Sequence, residues 1–221
     1  VSGRIEDIDP DRVLDVSDEA LSARGIEELS DAAGRYQFTH ALIQERLADE
    51  LSLTRRTRLH ARIAESLEEL YGAEAEAHAP ELAHHFAQAK TVLGTKKLAR
   101  YSMVAGERAI GSNAYEEALI HFQRALAAIE VSSSSMDASQ DIDPQTATIL
   151  FGLGRAQVAT CGAVQAQEAI DTLLRAFDAF VALGDTENAV AVATYPHPSM
   201  GYSSGTADMT ARALDLVPPD S

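Results

Sequence analysis

Between residues 95 and 130, Gly106, Tyr115, Ala118, Phe122, Ala125 and Leu126 fall on the spacing of two helices joined by a tight turn. Gly106 and Ala118 are small enough to let two antiparallel helices approach closely. Phe122 and Leu126, one turn apart, fill the groove made with the next helix. A single pair of this kind cannot bury its own apolar face. The chain is therefore expected to hold further pairs, stacked on one another, and to act through a surface that holds other molecules rather than through a catalytic pocket.

The pattern recurs with drift. Ala169, Leu173, Ala176 and Phe177 restate the second helix, preceded by a first helix with Leu153, Gly154 and Ala156 and a long inter-helix segment, Cys161 to Gln165. A weaker echo is Ala213, Leu214 and Pro218, with Thr206 and Thr210 where the alanine and the aromatic should stand. The small-residue, then A-x3-F-x2-A-L order is that of the tetratricopeptide repeat, whose ideal period is about 34 residues. Here 51 residues separate Ala125 from Ala176, and 37 separate Ala176 from Ala213. The excess in the first interval is a run around Ser132 to Ser135, and residues 131–141 read as a flexible linker.

Composition fits a helical protein of the cytoplasm. Hydrophobic residues make up 46% of the 221 and aromatics only 5%, so the core must come mainly from Ala, Leu, Ile and Val, which favours close helix packing. No apolar run approaches the roughly 18 residues of a membrane span. Cys161 stands alone, so neither an intrachain disulfide nor a cysteine-based zinc site can form, and it reads as a small packing residue near a helix end. The net charge of −16 would repel nucleic acid and anionic membranes. The cluster Arg55, Arg56, Arg58 and Arg62 is a local exception, but it spreads over more than one helix face. Leu59, Ile63, Leu67 and Leu70 form the apolar stripe of that helix, which turns acidic at Glu65, Glu68 and Glu69 and stops at Gly72. The arginines read as a solvated face with acidic partners in the same chain.

The first third has another texture. Ile26 to Leu29 and Arg35 to Thr39 are short β-prone stretches around Ser30-Asp31-Ala32-Ala33-Gly34, a hairpin signal. A helix with Leu42, Ile43, Leu47 and Leu51 follows, and Ser17 to Ala23 could form another upstream. Helix, hairpin, helix is the outline of the end of a winged-helix module.

The run Gly34-Arg35-Tyr36-Gln37-Phe38-Thr39-His40-Ala41-Leu42-Ile43-Gln44-Glu45, then Arg55 to Ala64, then Glu81-Leu82-Ala83-His84-His85-Phe86, resembles the large bacterial signalling ATPases of the STAND type. The resemblance implies a P-loop ATPase domain upstream, a winged-helix segment and tetratricopeptide-like repeats. It also implies attachment to a LuxR-type DNA-binding domain or a nucleotide cyclase. On this reading residues 1–53 are the C-terminal part of the winged-helix-like segment and 54–221 the helical repeats. The chain is then expected to be a fragment that ends before the array is capped, so that its last helix, 206–216, could mediate homo-oligomerisation.

Several strings could carry chemistry. No G-x4-G-K-[ST] occurs; Gly106 to Asn113 is the nearest string, and it lacks the lysine that reaches a nucleotide phosphate. Gly201-Tyr202-Ser203-Ser204-Gly205 matches G-x-S-x-G, and Ala189 to Thr194 could precede it as a strand. A hydrolase elbow needs a histidine after the serine, and none follows His197, so a loop between helices is expected. His78, Glu81, His84 and His85 are the densest set of metal-ligand types, with Pro80 in the first turn of their helix. They lack the second E-x-x-H pair of a di-iron site. His40, at the hairpin-to-helix junction, reads as a local hydrogen-bonding residue.

The expected fold is thus all-α: antiparallel helix-pair repeats in a tetratricopeptide-like superhelix, with a small β-hairpin near the amino end. The expected function is that of a non-catalytic scaffold or sensor, without cofactor or metal, binding a protein partner or neighbouring domains of its parent. The alternatives are a LuxR-type regulator touching DNA through the winged-helix segment, and the regulatory region of a nucleotide cyclase. Lys97, Arg100 and Glu107, polar positions on the helix from Thr95 to Ile110, are the candidate partner-binding residues.

Overall fold

The structure, a computed structural model, describes residues 26–28, 36–38, 52–133, 143–162, 165–196 and 205–217. The chain divides into two units, Val1–Arg56 and Thr57–Ser221. In the first, β1 (Ile26–Glu28) and β2 (Tyr36–Phe38) pair antiparallel, with Ile26 opposite Phe38 and Glu28 opposite Tyr36. The expected turn at Ser30–Gly34, the two helices flanking the strands and His40 lie outside the described residues, and so does the winged-helix outline they would complete.

The second unit is built of helices, with no strand among its described residues. Its elements are α1 (Leu53–Tyr71, beginning just before the division), a 3-10 segment (Gly72–His78), α2 (Ala79–Gln88) and the short α3 (Lys90–Leu93). There follow α4 (Lys96–Gly111), α5 (Tyr115–Ser133), α6 (Pro144–Thr160), α7 (Ala166–Leu183), α8 (Thr186–Ala193) and α9 (Thr206–Leu216). Residues 131–133, expected to open a linker over 131–141, are helical. Helix α5 continues through Ser133, because a helix with a buried stripe carries polar residues on its last exposed turn at little cost. Residues 134–142 lie outside the described set.

Local chemistry sets the turns. At the end of α4, Asn113 adopts a left-handed φ of 60°, its N–H donates to Ile110 O at 3.0 Å, and the Ala114 N–H donates to Ala109 O at 2.8 Å. This paired pattern satisfies two carbonyls that the helix end would orphan, and asparagine tolerates the left-handed region. Gly184 closes α7 in the same way, with φ 73° and the Asp185 N–H on Phe180 O at 2.9 Å. Asp185 then caps α8 by accepting from Asn188 N at 3.1 Å, so two residues end one helix and start the next. Asp143 caps α6 by accepting from Gln145 N, with Pro144 in the first turn. Connections this short return each helix against its predecessor.

The helices meet in sequence order. Helix α4 packs on α2 and α5, α5 on α6, α6 on α7, α7 on α8, and α8 on α9; α4 also touches α6 directly. Alanine supplies most of the buried hydrophobic positions, as expected from the low aromatic content. The bulk comes from a few fully enclosed rings, among them Phe86, Tyr101, Phe122 and Phe177.

The first pair keeps the register read from the sequence. Ala118, Phe122 and Ala125 are completely buried, and a Cβ placed on Gly106 would lie 2.8 Å from the tip of the Phe122 ring. Gly152 of α6 meets the other side of that ring, so Phe122 fits between two glycines on two helices. The next pair repeats the device. Leu173 of α7 takes the place of Phe122, and a Cβ on Gly154 would come within 2.6 Å of it. The third pair departs from it. Thr210 is exposed and Met209, completely buried, fills the core together with Ala213, Phe177 and Val192. Eight residues of α8 are too few to hold α9 in the register of the earlier pairs. Residues Ala189–Ala193, open to a strand reading from sequence, belong to α8: Ala189, Val192 and Ala193 recur at helical spacing and are all buried.

Candidate functional site

Lys97, Arg100 and Glu107, spaced three and then seven residues apart along α4, share one stripe of it. Their partners differ. Lys97 Nζ reaches Glu68 Oε2 of α1 at 2.6 Å and lies 5.7 Å from the centre of the Phe86 ring. Arg100 reaches Glu76 of the 3-10 segment at 2.7 Å, with its guanidinium 5.5 Å from the Tyr101 ring. Glu107 instead pairs with Arg155 of α6. The two basic residues thus tie α4 back to α1 and the 3-10 segment, and only Glu107 joins the following pair.

The row that begins at Glu107 continues across the stack. The Arg155 guanidinium lies 4.9 Å from the centre of the Phe151 ring, and Phe151 meets Tyr195, just beyond α8, edge to face at 5.9 Å. Burial raises the Tyr195 hydroxyl's pKa, with the nearby Arg155 pulling it down and Tyr115 pushing it up. Five side chains from α4, α5, α6 and the end of α8 therefore feel one another. Arg155 Nε is buried with no protein partner, although the same guanidinium pairs with Glu107 through another nitrogen. Such a face offers a charged fork, two phenols and an aromatic ring, the groups that recur at the centres of protein-recognition surfaces. The sequence singled out Glu107 as a candidate but not Arg155, Phe151 or Tyr195, which the structure brings into line with it; Arg155 follows Gly154 as Glu107 follows Gly106.

The arginine cluster at the start of α1 is solvated as expected: Arg55, Arg58 and Arg62 are exposed and Arg56 half-buried. Among the described residues, no ion pair holds them to an acidic partner, and Glu68 of the acidic turn that follows accepts from Lys97 and Tyr101 of α4.

The histidine set is rearranged. The Tyr71 hydroxyl donates to Glu81 at 2.9 Å, and His78 stacks on the Tyr71 ring at 3.7 Å with 8° between the planes. His84 and His85 gather instead around His60 of α1, which sequence reasoning did not connect with them. The three ring centres lie 5.1 to 5.7 Å apart, and His60 Nδ1 is 2.9 Å from His85 Nδ1. Burial, then the neighbouring His60 and His84, lower the pKa of His85, with Glu81 opposing them. Among the described residues, no group of histidine, cysteine and carboxylate side chains is arranged to hold a metal ion. Cys161 is half-buried at the end of α6, its thiol donating to Val158 O at 3.5 Å. Residues 201–204 of the G-x-S-x-G string lie outside the described set.

Fold and face together give packed helices, with a polar-aromatic row running from α4 over α6 to Tyr195. No protein-family model, curated protein or solved structure matches the chain. Among the described residues, no helix is long and apolar enough to cross a membrane.

Proposed function

We propose that this chain is a tetratricopeptide-like scaffold of a larger cytoplasmic signalling ATPase of the STAND type, binding a protein partner along its first-helix face and carrying no catalysis itself. The observation that carries this reading is the lateral meeting of α4 and α6, bridged by Glu107 and Arg155 and extended by Phe151 and Tyr195. In a superhelix of helix pairs the first helices line the concave side, where an extended segment can lie across several of them at once. Lys97 and Arg100 set the near edge of that surface in this proposal. Their ion pairs are exposed enough to exchange for a partner's carboxylates at small cost, since such pairs contribute only about 0 to 1 kcal/mol.

The test uses peptides selected by display against the 221-residue chain. Arg155→Gln and Phe151→Ser should weaken their binding by about tenfold or more, as loss of a central anchor does. Asp208→Asn on α9 should leave it unchanged. Peptides that bind all three variants as well as the wild type, or ATP hydrolysis by the purified chain, would overturn the proposal.

A further inference from the structure

We propose that His60, His84 and His85 form a pH-sensitive clasp that holds α1 on α2 near neutrality and releases it on mild acidification. The geometry carries this. Three imidazoles from two helices lie with their ring centres within 5.7 Å, and two of them touch through Nδ1 atoms 2.9 Å apart. A contact between two ring nitrogens is a hydrogen bond only while one of them keeps its lone pair. A first proton can be taken up at a ring's outward nitrogen. Protonation of the accepting Nδ1 removes the bond and sets two cations face to face, with the His84 ring beside them.

At His85 the adverse influences outweigh the favourable one. The groups felt at His85 are His60 and His84, both adverse to a further proton, and Glu81, which favours it but already accepts from Tyr71. Arg56 lies one turn before His60 on α1. On the 3-10 segment His78 is stacked on Tyr71, and on α4 Lys97 is held by Glu68. The pKa of His85 is lowered in the folded state, so that state binds fewer protons than the unfolded one. Its stabilising contribution is complete above the ordinary histidine value of 6.5 and fades as pH falls below it.

Release would be local, because α1 is fixed through side chains rather than close backbone approach. Its described anchors are the buried Ala61 and Ala64, Glu68 on α4, Tyr71 on α2 and the histidine contact. His121 of α5 also titrates with a lowered pKa, from burial first and Arg124 second, so the readout must resolve individual helices.

Hydrogen exchange of the full 221-residue chain, corrected for intrinsic rates, would be compared at about pH 7.5 and about pH 5.5, where histidines change charge and most carboxylates do not. Protection of residues 57–71 should fall by roughly tenfold while that of α6 and α7 holds. This lies between the about fourfold that two unit charges 5.1 Å apart give in bulk water and the larger factor of a protein-like dielectric. His60→Gln should remove the response of α1. Protection of α1 that is independent of pH in the wild type overturns the proposal whether or not the variant folds. A response that survives in a folded His60→Gln variant overturns it as well.

Discussion

Placing Phe122 between two glycines makes a substitution that ordinarily stabilises a helix destabilise this one. In an exposed helix interior, Gly→Ala gains about 1 kcal/mol from backbone entropy. At Gly106 the new Cβ would lie 2.8, 2.9 and 3.0 Å from three atoms of the Phe122 ring, closer than carbon atoms pack. The ring cannot move away, because Gly152 meets its other side and its exposure is zero. Overpacking of this kind costs about 1 to 3 kcal/mol, which outweighs the entropic gain. Phe122→Ala alone should cost about 3 to 5 kcal/mol, near the upper end, since glycines have no side chains with which to fill the hole. In that background the clash at Gly106 is gone, and Gly106→Ala should return to stabilising by about 1 kcal/mol. The sign change is the diagnostic, and a double-mutant cycle by urea denaturation, followed by far-ultraviolet circular dichroism, measures it. Gly106→Ala that stabilises the wild type, or two substitutions whose effects simply add, would show that the ring does not sit where the packing of α4, α5 and α6 requires.

Two further predictions test other parts of the fold. Burial and its bond to Glu68 push the Tyr101 hydroxyl up to about 12, so the folded state favours the protonated phenol. The resulting stability is present below the ordinary tyrosine value of 10 and lost as pH rises from there towards about 12. The stability difference between wild type and Tyr101→Phe should shrink over that window, and a constant difference would refute the linkage. On α9, Leu214 is 70% exposed, so Leu214→Glu should change folding stability by no more than about 0.5 kcal/mol and yet reduce self-association in light scattering across a concentration series. A chain that stays monomeric at every concentration removes α9 as a homo-oligomer surface.

The parts of the fold that were legible in the sequence are those whose signal lies within one helix. Ala118, Phe122 and Ala125 sit three and four residues apart, and helical geometry alone puts them on one buried face. Pro80 in the first turn of α2, the end of α1 before Gly72 and the bounds of α9 are local for the same reason. Gly152 was not legible. Its role depends on which turn of α6 lies over Phe122, and no periodicity along α6 records that. His60 was missed likewise, since nothing on α1 records that the chain folds back through a 3-10 segment and brings α2 alongside. The same segment supplies Glu76 to Arg100, while Glu68 at the end of α1 takes Lys97, so two residues chosen for an outward-facing role are engaged within the chain. Glu107 instead takes its partner from α6. A polar residue on a first helix is thus a better candidate for recognition when its partner belongs to the next repeat. Under the proposed function, such a pair marks the line where α4 and α6 lie side by side, which a segment spanning both would cross.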